Sequence, residues 1–379
     1  MLHAPQSPLL PAARAMAPLA AEHSAAAEER RRLHPAVAEA LIAAGFPRHF
    51  APDLPDRSPG TFTGLVEAVA ALGEGCASAA WVASVTASAG RLTAHLPEQG
   101  RAAVWEKGEG TVVAAGLMPS GTARRVPGGW RVRGEWAYIS GVDFAGWTLL
   151  AARTEEAGRP NVRVFAVPRA DHTVVDAWFV IGMRGTGSHT VVLDEDVVVP
   201  DERSVPLAAI LRGRPAAADA PCHRMPLKAG NGLTLTAPLL GAARGALGRW
   251  RELTGAKLAA PGGAISDGPG PVPYEQAFSR AEGELDAVEL LLGRAAGVVD
   301  RGGVTSVETA RNARDCALAA ERLATVVDGL LRTAGTRAQS EAEALQRHWR
   351  DVNCGAGHSG LQWAPAASTY ARLAGAVGR

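Results

Sequence analysis

The chain has 379 residues, of which 47% are hydrophobic and 20% charged, and its formal net charge is +1. This length and composition indicate a globular protein with two or three packed units. The near-neutral charge gives no support to a nucleic-acid partner or an anionic membrane surface. Because no charge-free run of about 18 apolar residues occurs, no transmembrane helix is predicted.

Residues 1–108 are predicted to form an amino-terminal helical domain. The stretches "HPAVAEALIAAGF" and "FTGLVEAVAALGEG" carry apolar residues at helical spacing. Pro35 suits the first turn of a helix, whereas Gly45 and Gly73 suit helix ends. The stretch "CASAAWVASVTASAGRLTAHL" predicts a helix of small residues, which lets its backbone approach another helix or a ligand closely.

Residues 109–204 are predicted to form a central antiparallel β domain. Short segments rich in Val, Trp and Thr, such as "NVRVFAVPR" and "SHTVVLDEDVVVP", are separated by Gly, Pro and Asp. Regular short strands with such turns are typical of a small barrel or sandwich.

Residues 205–379 are predicted to form a carboxy-terminal helical bundle. A Pro- and Arg-rich connector over 205–230 precedes several long segments of helical periodicity. Helices, then strands, then helices indicate an α+β fold that is mainly helical, not a doubly wound sheet. No GxGxxG follows a predicted strand and no GxxxxGK[ST] occurs, so no common phosphate-binding loop is predicted.

The stretch "RVRGEWAYISGVDFAGW" combines large aromatic residues with a serine and a glycine. Trp136, Tyr138 and Ser140 alternate, so a regular strand would place them on one face. They suit either a packed core that ends in a turn at Ser140 and Gly141, or a platform for a planar cofactor. In the second case the Ser140 hydroxyl would bond to a ring nitrogen.

The stretch "MRGTGSHTVVLDEDVVVP" places glycines and hydroxyl side chains directly before a strand. Residues 185–188 suit an ordinary tight turn, with glycine at positive φ. They also suit a turn that presents backbone N–H and hydroxyl groups to a ligand.

The stretch "LQRHWRDVNCGAGHSGL" predicts a charged helix followed by a histidine. Asp351 is expected to pair with Arg347 four residues earlier. The segment suits either a solvent-facing helix, or a helix that holds His358 beside a cofactor as a proton donor or acceptor.

The remaining histidines and cysteines predict no metal site. No HxH, HxxxH or CxxC spacing occurs, and a GxSxG nucleophile motif is also missing. Four scattered cysteines and the lack of a recognisable signal peptide predict a cytoplasmic protein with free thiols.

Taken together, the segments "CASAAWVAS", "GEWAYISG", "GMRGTGSHTVVLDEDVVVP" and "LQRHWRDVNCGAGH" resemble the acyl-CoA dehydrogenase superfamily over roughly residues 28–375. They resemble most closely its flavin-dependent monooxygenases of the 4-hydroxyphenylacetate hydroxylase type. The resemblance implies a helical domain, a β domain and a four-helix bundle that drives a homotetramer, with a dimer as the alternative. It also implies that a separate reductase supplies reduced FAD or FMN, which reacts with O₂ at C4a. The resulting hydroperoxide then oxygenates a small molecule.

The resemblance implies roles for individual residues. The catalytic ones are Ser140, as the hydroxyl bonded to flavin N5, and His358, near flavin C4a. The remaining expected flavin contacts are Trp81, Ala115, Gly116, Leu117, Tyr138, Gly335, Thr336 and, for the phosphate, Lys257. The expected substrate contacts are Arg91 and His95, because the connector and their helix are predicted to line the substrate pocket together.

Several functions remain as alternatives. An acyl-CoA dehydrogenase would need a glutamate base and tightly held oxidised FAD, but no Tyr-Glu-Gly-Thr segment occurs, and Glu341 and Glu343 suit a solvated helix start. Oxygenation of an amino sugar or of a CoA-bound aromatic acid would use the same flavin site. A non-catalytic protein would not need both Ser140 and His358. The Ala-, Arg- and Gly-rich composition suggests bacterial secondary metabolism, and so an aromatic or polyketide-like substrate.

Overall fold

The computed structural model describes residues 9–52, 58–156, 158–215, 220–258 and 272–375. The α+β fold class is confirmed, because helices precede and follow the strands along the chain. Among the described residues, no helix is both long and apolar enough to span a bilayer.

Helices dominate the described residues before the first strand. They are α1 (Leu9–Glu22), α2 (Ser24–Arg30), α3 (Pro35–Ala44), α4 (Phe62–Gly73), α5 (Ala77–Leu92) and α6 (Glu98–Trp105). As predicted, Pro35 opens α3, and Gly45 ends it with a φ of +90°. Gly73 is the last residue of α4, and a Cβ there would lie 2.9 Å from the backbone oxygen of Pro238, so the position has room only for glycine.

Helix α5 lies at the centre of the molecule. All of its residues except Val85 are buried, and it packs on α4, on α8 (Leu227–Leu258) and on strand β1 (Val113–Val126). Its Ala, Ser and Gly residues make this possible, because short side chains let neighbouring backbones approach from every side. The predicted close approach of this helix to its neighbours is confirmed.

The strands of the described residues form one seven-stranded sheet. After β1 come β2 (Gly129–Ile139), β3 (Trp147–Glu156), β4 (Arg159–Pro168), β5 (Thr173–Val175), β6 (His189–Pro200) and β7 (Ser204–Pro206). The order is β5-β6-β2-β1-β3-β4-β7, which places β5 and β7 at the edges. The predicted wholly antiparallel arrangement is corrected at one pair, because β1 and β3 are parallel. The segment after β2 carries the chain to the far side of β1, so β3 runs in the direction of β1.

The helices after the sheet pack as a bundle. They are α7 (Leu207–Arg212), α8, α9 (Val272–Arg301), α10 (Ser306–Ala334), α11 (Ala344–Ala356) and α12 (Trp363–Leu373). Helices α8, α9 and α10 contact one another, and α11 packs on α8 and α10. A capping box of Thr305 and Glu308 starts α10. The bundle positions α11 with its last turn toward α5, which brings the carboxy-terminal segment to the end of β2.

Candidate active site

Trp81 joins three parts of the molecule at one place. Its Nε1–H donates to Ser140 Oγ at 3.2 Å, so α5 contacts the residue that follows β2. Its ring lies 5.7 Å from the His358 ring, centroid to centroid, and is tilted by 57°. The structure therefore brings together Trp81, Ser140 and His358, which the sequence had assigned to one flavin site.

Ser140 begins a chain of three hydroxyl groups, which we call the hydroxyl chain: Ser140, Ser188 and Thr186. The Oγ atoms of Ser140 and Ser188 lie 2.7 Å apart, and Ser188 Oγ lies 2.7 Å from Thr186 Oγ1. Thr186 then donates to the backbone oxygen of Met183 at 2.8 Å. Of the two interpretations of residues 185–188, the structure thus contains the tight turn and also directs its hydroxyl groups to Ser140.

His358 is held as a neutral donor. Its Nδ1 accepts a hydrogen bond of 2.9 Å from the Gly360 backbone N–H, at the start of the short 3₁₀ turn Ser359–Leu361. A neutral imidazole carries one proton, so this bond places it on Nε2. The side chain is exposed in the single chain, yet nearby protein atoms desolvate the ring and lower the pKa of His358 from 6.5. His358 is therefore neutral at pH 7 and can donate from Nε2.

Asp351 fixes residues 181–186, which we call the Met183 loop and in which the hydroxyl chain ends. It is 7% exposed, and its Oδ1 accepts from the Met183 backbone N–H at 2.5 Å. The predicted pairing of Asp351 with Arg347 is wrong, because Arg347 turns to Glu28, with an Nε–Oε2 distance of 3.0 Å. Burial raises the pKa of Asp351 from 3.8 to about 6, although the Met183 hydrogen bond opposes this rise.

Tyr138 departs from the regular strand that the sequence predicts. Its φ is +67°, and the pairing of β2 with β6 shifts register between Trp136 and Ile139. The expectation that Trp136 and Tyr138 share one face is therefore wrong. Trp136 is 1% exposed and packs in the core, whereas Tyr138 is 74% exposed and its ring lies 5.9 Å from that of Trp178. The bulge turns Tyr138 outward and leaves Ser140 directed toward Trp81.

The backbone of β1 lies beside the same end of β2. A Cβ on Gly116 would lie 2.5 Å from Ile139 Cδ1, so Gly116 is next to the residue that precedes Ser140. Ala115, Gly116 and Leu117 are half-buried. Their expected role at the flavin ring stays a prediction that this position allows.

Other expected flavin contacts lie far from His358. Gly335 ends α10, and Thr336 begins the 3₁₀ turn that packs near the start of α11. His358 follows the opposite end of α11, whose 13 residues span about 20 Å. Lys257 belongs to the last turn of α8, but its side chain lies outside the described part of the structure. The single chain therefore does not bring Gly335 and Thr336 to Ser140.

Arg91 and His95 are buried on another side of α5. Val82 packs beside Gly141, and Arg91, nine residues later, projects from about the opposite side of the helix, roughly 14 Å further along. Arg91 donates to the Cys222 backbone oxygen at 3.1 Å, and burial lowers its pKa to about 10. Burial, together with the Arg91 charge, lowers the pKa of His95 to about 4. Their assignment as substrate contacts stays a prediction, and the structure separates them from Ser140.

Trp81, Ser140 and His358 fit the edge of a reduced flavin. Reduced flavin carries a hydrogen on N5, and Ser140 Oγ is a half-buried oxygen that can accept a hydrogen bond from this N5–H. His358 offers an N–H donor beside the same indole, and Trp81 offers an apolar ring that is 7% exposed. The acceptor at Ser140, the neutral donor at His358 and the flat indole ring of Trp81 suit a planar ring system. The edge of such a ring system carries both hydrogen-bond donors and acceptors.

The sequence did not identify the residues that hold this site in place. His189, which is fully buried, lies between the carboxylates of Asp143 and Asp176, with ring nitrogens 3.5 and 3.4 Å from them. The sequence signal for these residues was the polar run "GTGSH" at the start of β6. Only the folded structure shows that the hydroxyl groups of this run reach Ser140. The sequence left Asp351 either on a solvent-facing helix or on a helix that holds His358, and it gave no sign that Asp351 binds the Met183 backbone.

Comparison with known proteins identifies the family of the chain. Residues 233–363 match the family described as "Acyl-CoA dehydrogenase, C-terminal domain". The chain is 30% identical to a flavin-dependent monooxygenase, the oxygenase subunit HsaA of Rhodococcus jostii RHA1, over 91% of this chain and 92% of the relative. It is also 29% identical to the oxygenase component of an FADH₂-dependent resorcinol hydroxylase from a Rhizobium strain, over 89% and 86% of the two chains.

Solved structures give the same result. A 3-HSA hydroxylase from Rhodococcus sp. RHA1 superposes with a TM-score of 0.90 at 28% identity, over 98% of this chain and 97% of that one. XiaF from a Streptomyces species, solved with FADH₂ and glycerol, superposes with a TM-score of 0.89 at 27% identity, over 98% of this chain and 95% of that one.

Proposed function

The chain belongs to the flavin-dependent monooxygenase oxygenase subunits of the acyl-CoA dehydrogenase fold, and we propose that it hydroxylates the ring of a small aromatic metabolite. The observation that supports this site is that Trp81, Ser140 and His358 lie close together. They come from α5, the end of β2 and the end of α11, respectively. Reduced flavin, when bound, supplies the electrons that activate O₂ and delivers one oxygen atom to the substrate.

Each of the three residues has a defined task in this proposal. Ser140 accepts a hydrogen bond from flavin N5–H and so keeps that proton in place. His358 would offer its Nε2–H as a hydrogen-bond donor beside the flavin, and its lowered pKa keeps the ring neutral at pH 7. Trp81 excludes water from one side of the ring, which limits the loss of oxygen as peroxide.

An aromatic substrate is supported by the relatives. The resorcinol hydroxylase is named for a phenol, and a 31% identical relative over 56% of this chain is an indole-3-acetate monooxygenase. FADH₂ is the flavin that we propose, because the Rhizobium oxygenase is named for it and XiaF was solved with it. A separate reductase is the source of reduced flavin for an oxygenase subunit of this kind.

The acyl-CoA dehydrogenase alternative lacks support at this site. Glu343 lies at the start of α11, opposite to His358, and pairs with Arg249 at 2.8 Å. A glutamate that is ion-paired at the far end of a helix cannot serve as a base beside Ser140.

A homo-oligomer, tetrameric or dimeric, is also part of the proposal. None of the residues of α12 is buried in the single chain, and its Trp363 and Leu373 are 39% and 47% exposed. A second copy would cover such apolar residues. We place the protein in the cytoplasm, where its four free cysteines stay reduced.

Turnover with externally reduced flavin tests the proposal. NADH and an unrelated flavin reductase would supply FADH₂, and a panel of phenols would be offered as substrates. We expect oxygen uptake coupled to a hydroxylated product, and no product without the reductase. Reduction of bound FAD by an acyl-CoA thioester, without hydroxylation of any phenol, would contradict it.

A further inference from the structure

Two central helices, α5 and α8, are each interrupted in their burial by one residue. In α5 the half-buried residue is Val85, and every other residue of that helix is buried. In α8 residues 229–243 are buried except Asn231, which is half-buried. The helices meet here, because Ser84 Oγ donates to the Thr234 backbone oxygen at 2.7 Å. Val85 and Asn231 therefore mark the place where the contact between α5 and α8 opens.

The segment that carries His358 borders the same opening. A Cβ placed on Gly360 would lie 2.8 Å from Leu235 Cδ1 and 3.2 Å from Asn231 Nδ2. That position is also 3.2 Å from His358 Nδ1, the nitrogen that accepts from the Gly360 N–H. Both His358 and Gly360 are exposed in the single chain. The side-chain amide of Asn231 therefore lies beside His358, at an accessible edge of the candidate site.

The periodicity of α8 links Asn231 to the indole of Trp81. Asn231, Leu235 and Leu239 are spaced four residues apart, so they share one face of the helix. Leu239 lies at the Trp81 end of this face, because a Cβ on Gly355 would lie 2.5 Å from Leu239 Cδ2 and 3.4 Å from Trp81 Cζ3. Two buried leucines are thus followed by one amide, so the apolar face ends in a polar group.

The amide of Asn231 has hydrogen-bonding capacity that the fold does not use. The backbone oxygen of this residue accepts from Thr234 Oγ1 at 2.8 Å, but its side-chain amide bonds to none of the described residues. An amide offers an acceptor oxygen and two N–H donors, which match a hydroxyl group that both donates and accepts. One polar group among apolar side chains is the arrangement that orients small ligands in protein pockets.

We propose that Asn231 binds the phenolic hydroxyl of the substrate and thereby determines which ring carbon faces the flavin. The substrate ring packs against Val85 and lies beside His358. Asn231 acts on the binding and orientation of the substrate and not on the flavin. This inference rests on the proposed function and adds to it a residue that determines specificity.

The test uses the phenol of the panel that the wild type hydroxylates most efficiently, with its parent arene, which lacks the hydroxyl, as a competitive inhibitor. Asn231→Leu keeps a branched side chain but removes both hydrogen-bonding functions. We expect the KM for the phenol to rise about tenfold, as for one lost hydrogen bond, while the Ki of the arene and the KM for reduced FAD change little. Asn231→Asp keeps an acceptor for the hydroxyl and should raise the KM less.

The position of the new hydroxyl in the product gives a second readout. We expect a single product from the wild type and a mixture of positional isomers from Asn231→Leu. Equal weakening of phenol and arene, together with a lower thermal unfolding temperature, would mean a structural role only and would overturn the inference. An unchanged KM with a single product would also overturn it, while leaving the proposed function intact. Failure of the wild type to hydroxylate any phenol would overturn the proposed function itself.

Discussion

Asp351 is a buried carboxylate, and hydrogen bonding and nearby positive charge offset only part of the cost of burying its charge. Burial raises its pKa to about 6, while the Met183 N–H and the charges of Arg350 and Arg347 favour the ionised form. Glu28, which pairs with both arginines, acts in the opposite direction. The residue orders the Met183 loop at a cost in stability that depends on pH.

Asp351→Asn tests this cost. The folded pKa of about 6 exceeds the ordinary 3.8, so the folded state binds the extra proton, and wild-type stability from this group falls as the pH rises between these values. The substituted asparagine has no such dependence but retains an acceptor for Met183. We therefore expect the stability of the variant relative to wild type to rise by up to about 3 kcal/mol over that pH range. Thermal unfolding of wild type and variant at several pH values measures this difference in stability. The same pH dependence in both proteins would disprove a raised pKa for Asp351.

At the scale of elements, the joint between the Met183 loop and α11 determines where Ser188 and Thr186 lie. Gly182 touches the Arg350 backbone, and Arg350 in turn donates to the Ile181 backbone oxygen at 2.5 Å. Because two backbones are in contact here, no side chain can move aside, and there is no room for an added Cβ at Gly182.

Gly182→Ala should therefore destabilise the protein. The new Cβ would lie 2.2 Å from the Arg350 oxygen and 2.5 Å from its carbon, and separating the two backbones costs about 1–3 kcal/mol. Gly293→Ala is the matched control, because nothing lies within 4 Å of a Cβ at that position in α9, and alanine favours a helix by about 1 kcal/mol over glycine. Chemical denaturation would compare the two, and equal stability of both variants would refute the tight joint.

Much of this arrangement could be predicted from the sequence, because periodicity and caps are local. The order of helices and strands followed from spacing, and the start of α3 followed from Pro35. The outward turn of Tyr138 could not be predicted, because a bulge depends on how β2 meets β6. The burial of Asp351 was missed for a related reason, since its partner Met183 is 168 positions away along the chain.

At the scale of the whole molecule, the site forms only where three separate parts meet. Helix α5 contributes Trp81, the end of the β2 strand leads to Ser140, and the segment after α11 contributes His358. The family resemblance assigned these three residues to one site, since each lies in a distinctive local segment. It could not identify the hydroxyl chain, because its hydrogen bonds depend on the folded positions of β2, the Met183 loop and α11.

The central claim is that Ser140 holds the N5 proton while O₂ is activated, and the fraction of consumed O₂ released as H₂O₂ tests it most directly. Wild type and Ser140→Ala would be compared with the same reductase, FAD and phenol. We predict that the variant still binds reduced FAD but releases a severalfold larger fraction of the oxygen as H₂O₂, because one hydrogen bond to N5–H is lost. An unchanged H₂O₂ fraction in Ser140→Ala would contradict the account.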